Sequence, residues 1–121
     1  MKVYLAGPMR GYPQFNFPTF FKAAAKLRAE GHTVFNPAEK DVEKHGDRIW
    51  KGRKGNVDTV SKELGFSLRD ALGKDLGWIC AQADAVALLP GWKKSKGATA
   101  EHATAEALGL EIIHLSKEFI K

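Results

Sequence analysis

Short apolar runs alternate along the chain with longer stretches whose apolar residues recur every three or four positions. The short runs predict β-strands at residues 2–7, 32–35, 84–90 and 111–115. The longer stretches predict helices between Asn16 and Gly31, over 67–82 and over 98–108. Because strands alternate with helices, the pattern predicts a single α/β domain whose parallel strands are joined by right-handed crossovers.

Residues 38–63 interrupt this alternation. The segment is rich in charge, contains scattered glycines and has only weak periodicity. We expect a long excursion with one helical piece, because structureless loops of this length are uncommon in compact domains and are often functional. The excursion is therefore a candidate to close over a binding site.

Composition narrows the classes of protein to consider. The chain has 121 residues and a single cysteine, Cys80, so it has no internal disulfide and fits a reducing compartment such as the cytoplasm. No apolar run approaches the roughly 20 residues of a membrane span, and the apolar start is too short for a signal peptide. We expect a cytoplasmic protein without a membrane partner.

The chain carries a net charge of +5, which suits either nucleic acid or an anionic small ligand such as a phosphate ester. Basic residues cluster at 51–54 and again at 93–96. The second cluster follows the strand at 84–90. Ligands of parallel sheets bind at the carboxyl ends of the strands, so this cluster is expected to lie beside a site.

Two segments near those strand ends are candidate anion-binding elements. The turn Gly7-Pro8-Met9-Arg10-Gly11 follows the first strand, its glycines permit close approach to the backbone, and Arg10 offers planar donors. The segment Ser95-Lys96-Gly97-Ala98 opens a helix, whose free N–H groups attract anions. The alternatives are a plain turn with an exposed arginine, and a solvated loop in which Ser95 or Gly97 only caps the helix.

Two carboxylates are candidate catalytic groups. Asp75 falls at the edge of an apolar stripe in helix 67–82, where burial without partners costs several kcal/mol. Glu101, in the first turn of helix 98–108, falls at the edge of an arc that we expect to face the sheet. That arc contains Ala100, Ala103, Thr104, Ala107 and Leu108. The alternatives are a paired structural Asp75 and a Glu101 that only stabilises the helix dipole.

Other residues carry weaker signals. Tyr4 on the first strand could orient a carboxylate or simply fill the core, and Trp92 could stack on a base or simply pack. The four histidines have no metal-ligand spacing, so neither a metal nor a cofactor is expected.

Taken together, three stretches resemble the nucleoside 2-deoxyribosyltransferase-like superfamily, and 2′-deoxynucleoside 5′-phosphate N-hydrolases are the closest functional comparison. The stretches are Tyr4 to Gly11, Asp75-Leu76-Gly77-Trp78-Ile79 to Ala83-Asp84, and Ser95 to Glu101. Residues 89–98 resemble still more an uncharacterised phage and bacterial branch. The resemblance implies a three-layer Rossmann/flavodoxin-like fold with a parallel sheet of four to five strands. It also implies that the protein acts in a bacterial cell or a phage-infected host.

The resemblance also implies roles for single residues. Glu101 would be the nucleophile that attacks C1′, Asp75 the carboxylate that assists departure of the base, and Tyr4 the residue that positions the nucleophile. Arg10 and Gly11 would hold the sugar-phosphate, and Ser95 with the backbone near Gly97 would bind the phosphate. A homodimer or higher homo-oligomer is implied as well.

The expected function is N-glycosidic cleavage or base transfer on a nucleoside 5′-monophosphate or a related nucleoside. The alternative is a non-catalytic binder of a nucleotide or an ADP-ribose-type signal. Nucleic-acid binding through Lys51, Arg53 and Lys54 is disfavoured, because no groove-reading element is evident.

Overall fold

Four parallel strands form the centre of the computed structural model, which describes residues 1–121. They are β1 (Lys2–Ala6), β2 (Thr33–Phe35), β3 (Ala85–Leu88) and β4 (Glu111–His114). Their order in the sheet is β2-β1-β3-β4, and every neighbouring pair is parallel. The expected parallel α/β sheet of Rossmann/flavodoxin-like type is confirmed, with four strands.

Helices cover both faces of this sheet. They are α1 (Phe17–Ala29), α2 (Pro37–His45), α3 (Val57–Leu64), α4 (Leu68–Gln82) and α5 (Lys96–Leu108). One buried cluster joins Val3 and Leu5 of β1 to α1, and a second joins Tyr4 and Ala6 to α4 and α5. Alternate residues of a strand point to opposite faces, so Tyr4 faces α4 and α5.

The expectation of one helical piece in residues 38–63 is wrong. The segment carries most of α2, a short 3₁₀ turn at Asp47–Ile49 and all but the last residue of α3. Each helix begins at an asparagine cap: Asn36 accepts from the amide of Ala38 at 3.0 Å, and Asn56 accepts from that of Asp58 at 2.9 Å. Val60 is the one fully buried residue of α3, and Val57 and Leu64 pack beside it at the three- and four-residue spacing typical of a helix.

Backbone contacts tie this segment to the turn that follows β1. Gly11 donates to the carbonyl of Gly55 at 2.9 Å, and Gln14 donates to that of Arg53 at 2.8 Å. Gly55 has a φ of +85°, and a Cβ there would lie 2.6 Å from the Tyr12 carbonyl oxygen. The close approach of the two segments therefore requires glycine.

The predicted face of α5 is also wrong. The buried residues of this helix are Ala98, Glu101 and Ala105. Ala103, Ala107 and Leu108, which we expected to face the sheet, are exposed. Alanine provides little apolar area, so an alanine-rich sequence indicates the orientation of a helix only weakly.

None of the helices combines the length and the apolar composition that crossing a bilayer requires.

Candidate functional site

A cavity of about 340 Å³ opens at the carboxyl ends of β1 and β3. The chain leaves β1 toward one edge of the sheet and leaves β3 toward the other, and such a reversal is where parallel sheets bind ligands. More than half of the lining residues are hydrophobic. The candidate residues Tyr4, Gly7, Met9, Arg10, Asp75, Ser95, Gly97, Ala98 and Glu101 all line it.

A buried hydrogen bond joins the sheet to α5 inside this cavity. The Tyr4 hydroxyl donates to Oε2 of Glu101 at 2.6 Å, and the glutamate is only 6% exposed. Burial raises the pKa of Glu101 to about 8; the Tyr4 hydroxyl opposes this rise, and the charge of Asp75 adds to it. The pKa of Tyr4 itself is raised well above its ordinary value, first by burial and then by the two carboxylates.

Asp75 reaches the same cavity from α4. It is half-buried, and burial raises its pKa to about 6, while the Tyr4 hydroxyl works in the opposite direction. Leu68, at the start of the same helix, is 45% exposed and lines the cavity as Asp75 does. The apolar stripe on α4 thus packs in the core at Ile79 and lines the cavity nearer the start of the helix.

Sequence reasoning missed a third carboxylate, Asp41 of α2, which lines the cavity as well. Burial raises its pKa to about 7; the charge of Asp75 adds to this and Lys44 opposes it. The Asn36-Pro37 cap predicts the helix start, and helical spacing would then have placed Asp41 on the face of buried Pro37 and Ala38. That signal was present in the sequence.

The start of α5 and the turn after β1 form a cationic end of the cavity. Arg10, Lys94 and Lys96 line it, and none of the three forms an ion pair with an acidic side chain. The backbone amides of Lys96 and Gly97 have no hydrogen-bond partner within the protein. Free amides and the helix dipole favour an anion at this end.

Ser95 caps α5, which was the alternative to anion binding that we gave for this residue. Its hydroxyl oxygen accepts from the amide of Ala98 at 3.1 Å. A hydroxyl that accepts one bond still has its own proton to donate, so Ser95 can cap α5 and also donate to an anion.

Gly11 and Trp92 do not belong to the cavity wall. Gly11 has a φ of +83° and is bonded to Gly55. The Trp92 ring lies 4.5 Å from the ring of His102 and 6.3 Å from that of His114, between centroids. These contacts hold Trp92 in surface packing on the side of α5 and β4, where it partly covers His102.

Gly7 allows two strand ends to pack closely, which is more than forming an open turn. A Cβ at this position would lie 2.7 Å from Cβ of Leu89, so the ends of β1 and β3 meet only if residue 7 has no side chain.

No cluster of three or more histidine, cysteine, aspartate or glutamate residues is arranged to hold a metal ion.

A family model described as a domain of unknown function, DUF4406, matches residues 1–114. The chain belongs to the DUF4406 family. No curated protein and no solved structure matches it. The function of this DUF4406 chain therefore has to be argued from its own cavity, with a buried tyrosine–carboxylate pair, two further carboxyls and a cationic end.

Proposed function

We propose that this protein cleaves the N-glycosidic bond of a nucleoside 5′-monophosphate or a related nucleoside, with Glu101 as nucleophile. The observation that carries the proposal is the placement of Glu101 and Asp75 in one largely apolar cavity together with the Tyr4 hydroxyl, which donates to Glu101. Two carboxyls with pKa values of about 8 and about 6 carry roughly one proton between them at neutral pH. Glycosidic cleavage needs one ionised and one protonated carboxyl. In the free protein the proton rests mainly on Glu101, so substrate binding and the positive charge that develops at C1′ have to transfer it to Asp75 before Glu101 attacks.

In the proposed reaction, the Glu101 carboxylate attacks C1′ and the electron pair of the glycosidic bond goes to the base. Asp75 supplies a proton to a ring nitrogen, so the base leaves neutral. Water then cleaves the glycosyl ester, or a second base replaces water and gives transfer. The hydrogen bond from Tyr4 stabilises the ionised Glu101, and positive charge at C1′ stabilises it further.

The cationic end supports a phosphate on the substrate. The two free amides at the start of α5, the Ser95 hydroxyl and the side chain of Arg10 could all donate to phosphate oxygens. The resemblance to the nucleoside 2-deoxyribosyltransferase-like superfamily supports the same substrate class. It also supports a homodimer or higher homo-oligomer, whose mass light scattering in solution would measure.

The test is release of free base from a panel of ribo- and 2′-deoxyribonucleoside 5′-monophosphates. The wild type is expected to release base from at least one, and Glu101→Gln to reduce release by at least about 10³-fold. Glu106→Gln, an exposed position on the same helix, is the matched control and should retain activity. A folded wild type that releases no base from any of them contradicts the proposal.

Binding without turnover is the second candidate function. It is favoured by the raised pKa of Glu101, which leaves this carboxyl mostly protonated at neutral pH in the empty cavity. A ligand would then raise the melting temperature without being consumed, and Glu101→Gln would not change that stabilisation.

A further inference from the structure

The carboxyls of Asp41 and Asp75 stand at a boundary between two cavities. Both residues line the 340 Å³ cavity, and both line a groove of about 490 Å³ between α2 and α4. They belong to different helices, and the charge of Asp75 acts on Asp41. The pair therefore forms one end of the candidate site, distinct from the cationic end at the start of α5.

Apart from the Tyr4 hydroxyl, which donates to Glu101, the polar groups at this end of the cavity are the carboxyls of Asp41 and Asp75. The neighbouring wall residues are apolar, among them Pro37, Phe66, Ala71 and Leu72. The buried amide side chain of Asn36, at the start of α2, is already engaged, since it accepts from Ala38 at 3.0 Å and donates to the Phe20 carbonyl at 3.4 Å. Lys44 lines the groove and not the cavity.

Asp41 has no hydrogen bond and no ion pair in the protein, although it is largely buried. A buried carboxyl without a partner loses its hydration without compensation. A ligand that donates N–H groups to it would restore that loss, whereas a ligand that presents an oxygen would set two acceptors against each other.

We propose that Asp41, together with Asp75, selects bases that carry an exocyclic amino group over their deaminated, oxo-substituted counterparts. The proposal rests on the proposed function, because it assumes that the base occupies the end of the cavity away from the phosphate. The amino group donates to the ionised carboxylate of Asp41, and a ring nitrogen of the base receives the proton of Asp75. Asp41 is thus a specificity residue, and Glu101 remains the nucleophile.

Affinity measured without turnover tests this selection separately from catalysis. In a Glu101→Gln background, dissociation constants are measured by calorimetry for adenosine against inosine 5′-monophosphate and for cytidine against uridine 5′-monophosphate, in the ribo and 2′-deoxy series. The amino-bearing member of at least one pair is expected to bind at least about tenfold more tightly. Adding Asp41→Asn should bring that ratio within about threefold, because the amide also donates to an oxo group.

Asp58→Asn is the matched control, since it makes the same chemical change on an exposed residue of α3 outside the cavity, and should leave the ratio unchanged. Should Asp41→Asn fail to fold, Asp41→Ser, which also removes the charge, takes its place. Equal affinities within both pairs, or an unchanged ratio in the Asp41 variant, overturn the proposal.

Failure of catalysis is distinguishable from failure of selection. Selective binding without base release from the wild type removes the cleavage proposal and leaves the role of Asp41. Base release without selectivity does the reverse, and absence of any nucleotide binding removes both.

Discussion

Tyr4 and Glu101, 97 positions apart in the chain, are joined by a 2.6 Å hydrogen bond from the tyrosine hydroxyl to Oε2. Tyr4 has no exposed surface, and its ring packs on Phe35 and Trp78 at 5.4 and 6.4 Å between centroids. The donor is therefore fixed by the sheet, and it holds the carboxylate of α5 in one orientation.

Tyr4→Phe tests this positioning. The ring packing stays and the donor is lost, so kcat/KM is expected to fall by about 10- to 100-fold. Because the hydroxyl lowers the pKa of Glu101, its removal should move the rising limb of the pH–kcat/KM profile to higher pH. The measurement is that profile for both proteins. A lower rate with an unmoved limb would show that the tyrosine is only structural.

The raised pKa values predict how stability depends on pH. Glu101, Asp41 and Asp75 have folded-state pKa values of about 8, 7 and 6, all above the ordinary values of 4.5 and 3.8. The folded protein thus binds these protons more tightly than the unfolded chain. Their contribution to stability is fully present below pH 3.8, falls progressively above it, and has been lost once the pH has risen through the folded-state values of about 6 to about 8.

Glu101→Gln should remove the largest part of this dependence. At pH 8 the variant is expected to melt at least about 4 °C above the wild type, and at pH 5 the two should differ little. Thermal melts across this range check the expectation, with Glu106→Gln as the control. A difference that stays constant with pH would mean that Glu101 is not buried as a protonated acid.

Arg10→Ala tests the cationic end of the cavity. Loss of a charged donor to phosphate is expected to raise KM for a nucleoside 5′-monophosphate about tenfold and to leave kcat/KM for the corresponding nucleoside nearly unchanged. Steady-state kinetics on the two substrates measure this difference, and Arg69→Ala, on an exposed residue of α4, is the control. An equal effect on both substrates would assign Arg10 to another role.

Two glycine substitutions should have opposite effects on stability. Gly7→Ala would place a Cβ 2.7 Å from that of Leu89, and overpacking at a buried contact costs about 1–3 kcal/mol. In Gly77→Ala, within α4, the new Cβ meets nothing within 4 Å, and the better helix former should stabilise by about 0.5–1 kcal/mol. Chemical denaturation measures both. A neutral Gly7→Ala would show that the strand ends can separate without cost.

The sequence was sufficient for the sheet because its strands are strongly patterned. The run at 84–90 is nearly all apolar, and β3 is fully buried there. Asp75 also stood out, because a charge at the edge of an apolar stripe needs a reason. The position of Tyr4 opposite Glu101 follows only from the resemblance and the three-dimensional pairing, since no local pattern relates residues so distant in the chain.

Weak local signals explain the misses. In α5 small side chains gave the wrong buried face, because the burial of one alanine is worth little compared with the hydrogen bond that holds Glu101 inward. Asp41 was missed because the charge-rich segment around it hides a helix that is evident from its cap. Trp92 lies in the loop after β3, as expected, but its ring packs on His102 and does not face the cavity.

The backbone hydrogen bonds between residues 11–14 and 53–55, here called the clasp, join two parts of the cavity wall that come from different segments of the chain. The sheet and α5 hold Tyr4 and Glu101, whereas the segment that the clasp anchors provides Asp41, Ile49, Val57 and Val60 to the opposite wall. The proposed nucleophile and the proposed base-selecting carboxyl therefore lie on separate parts of the chain, so that substitutions in residues 38–63 can change the opposite wall and leave Tyr4 and Glu101 in place.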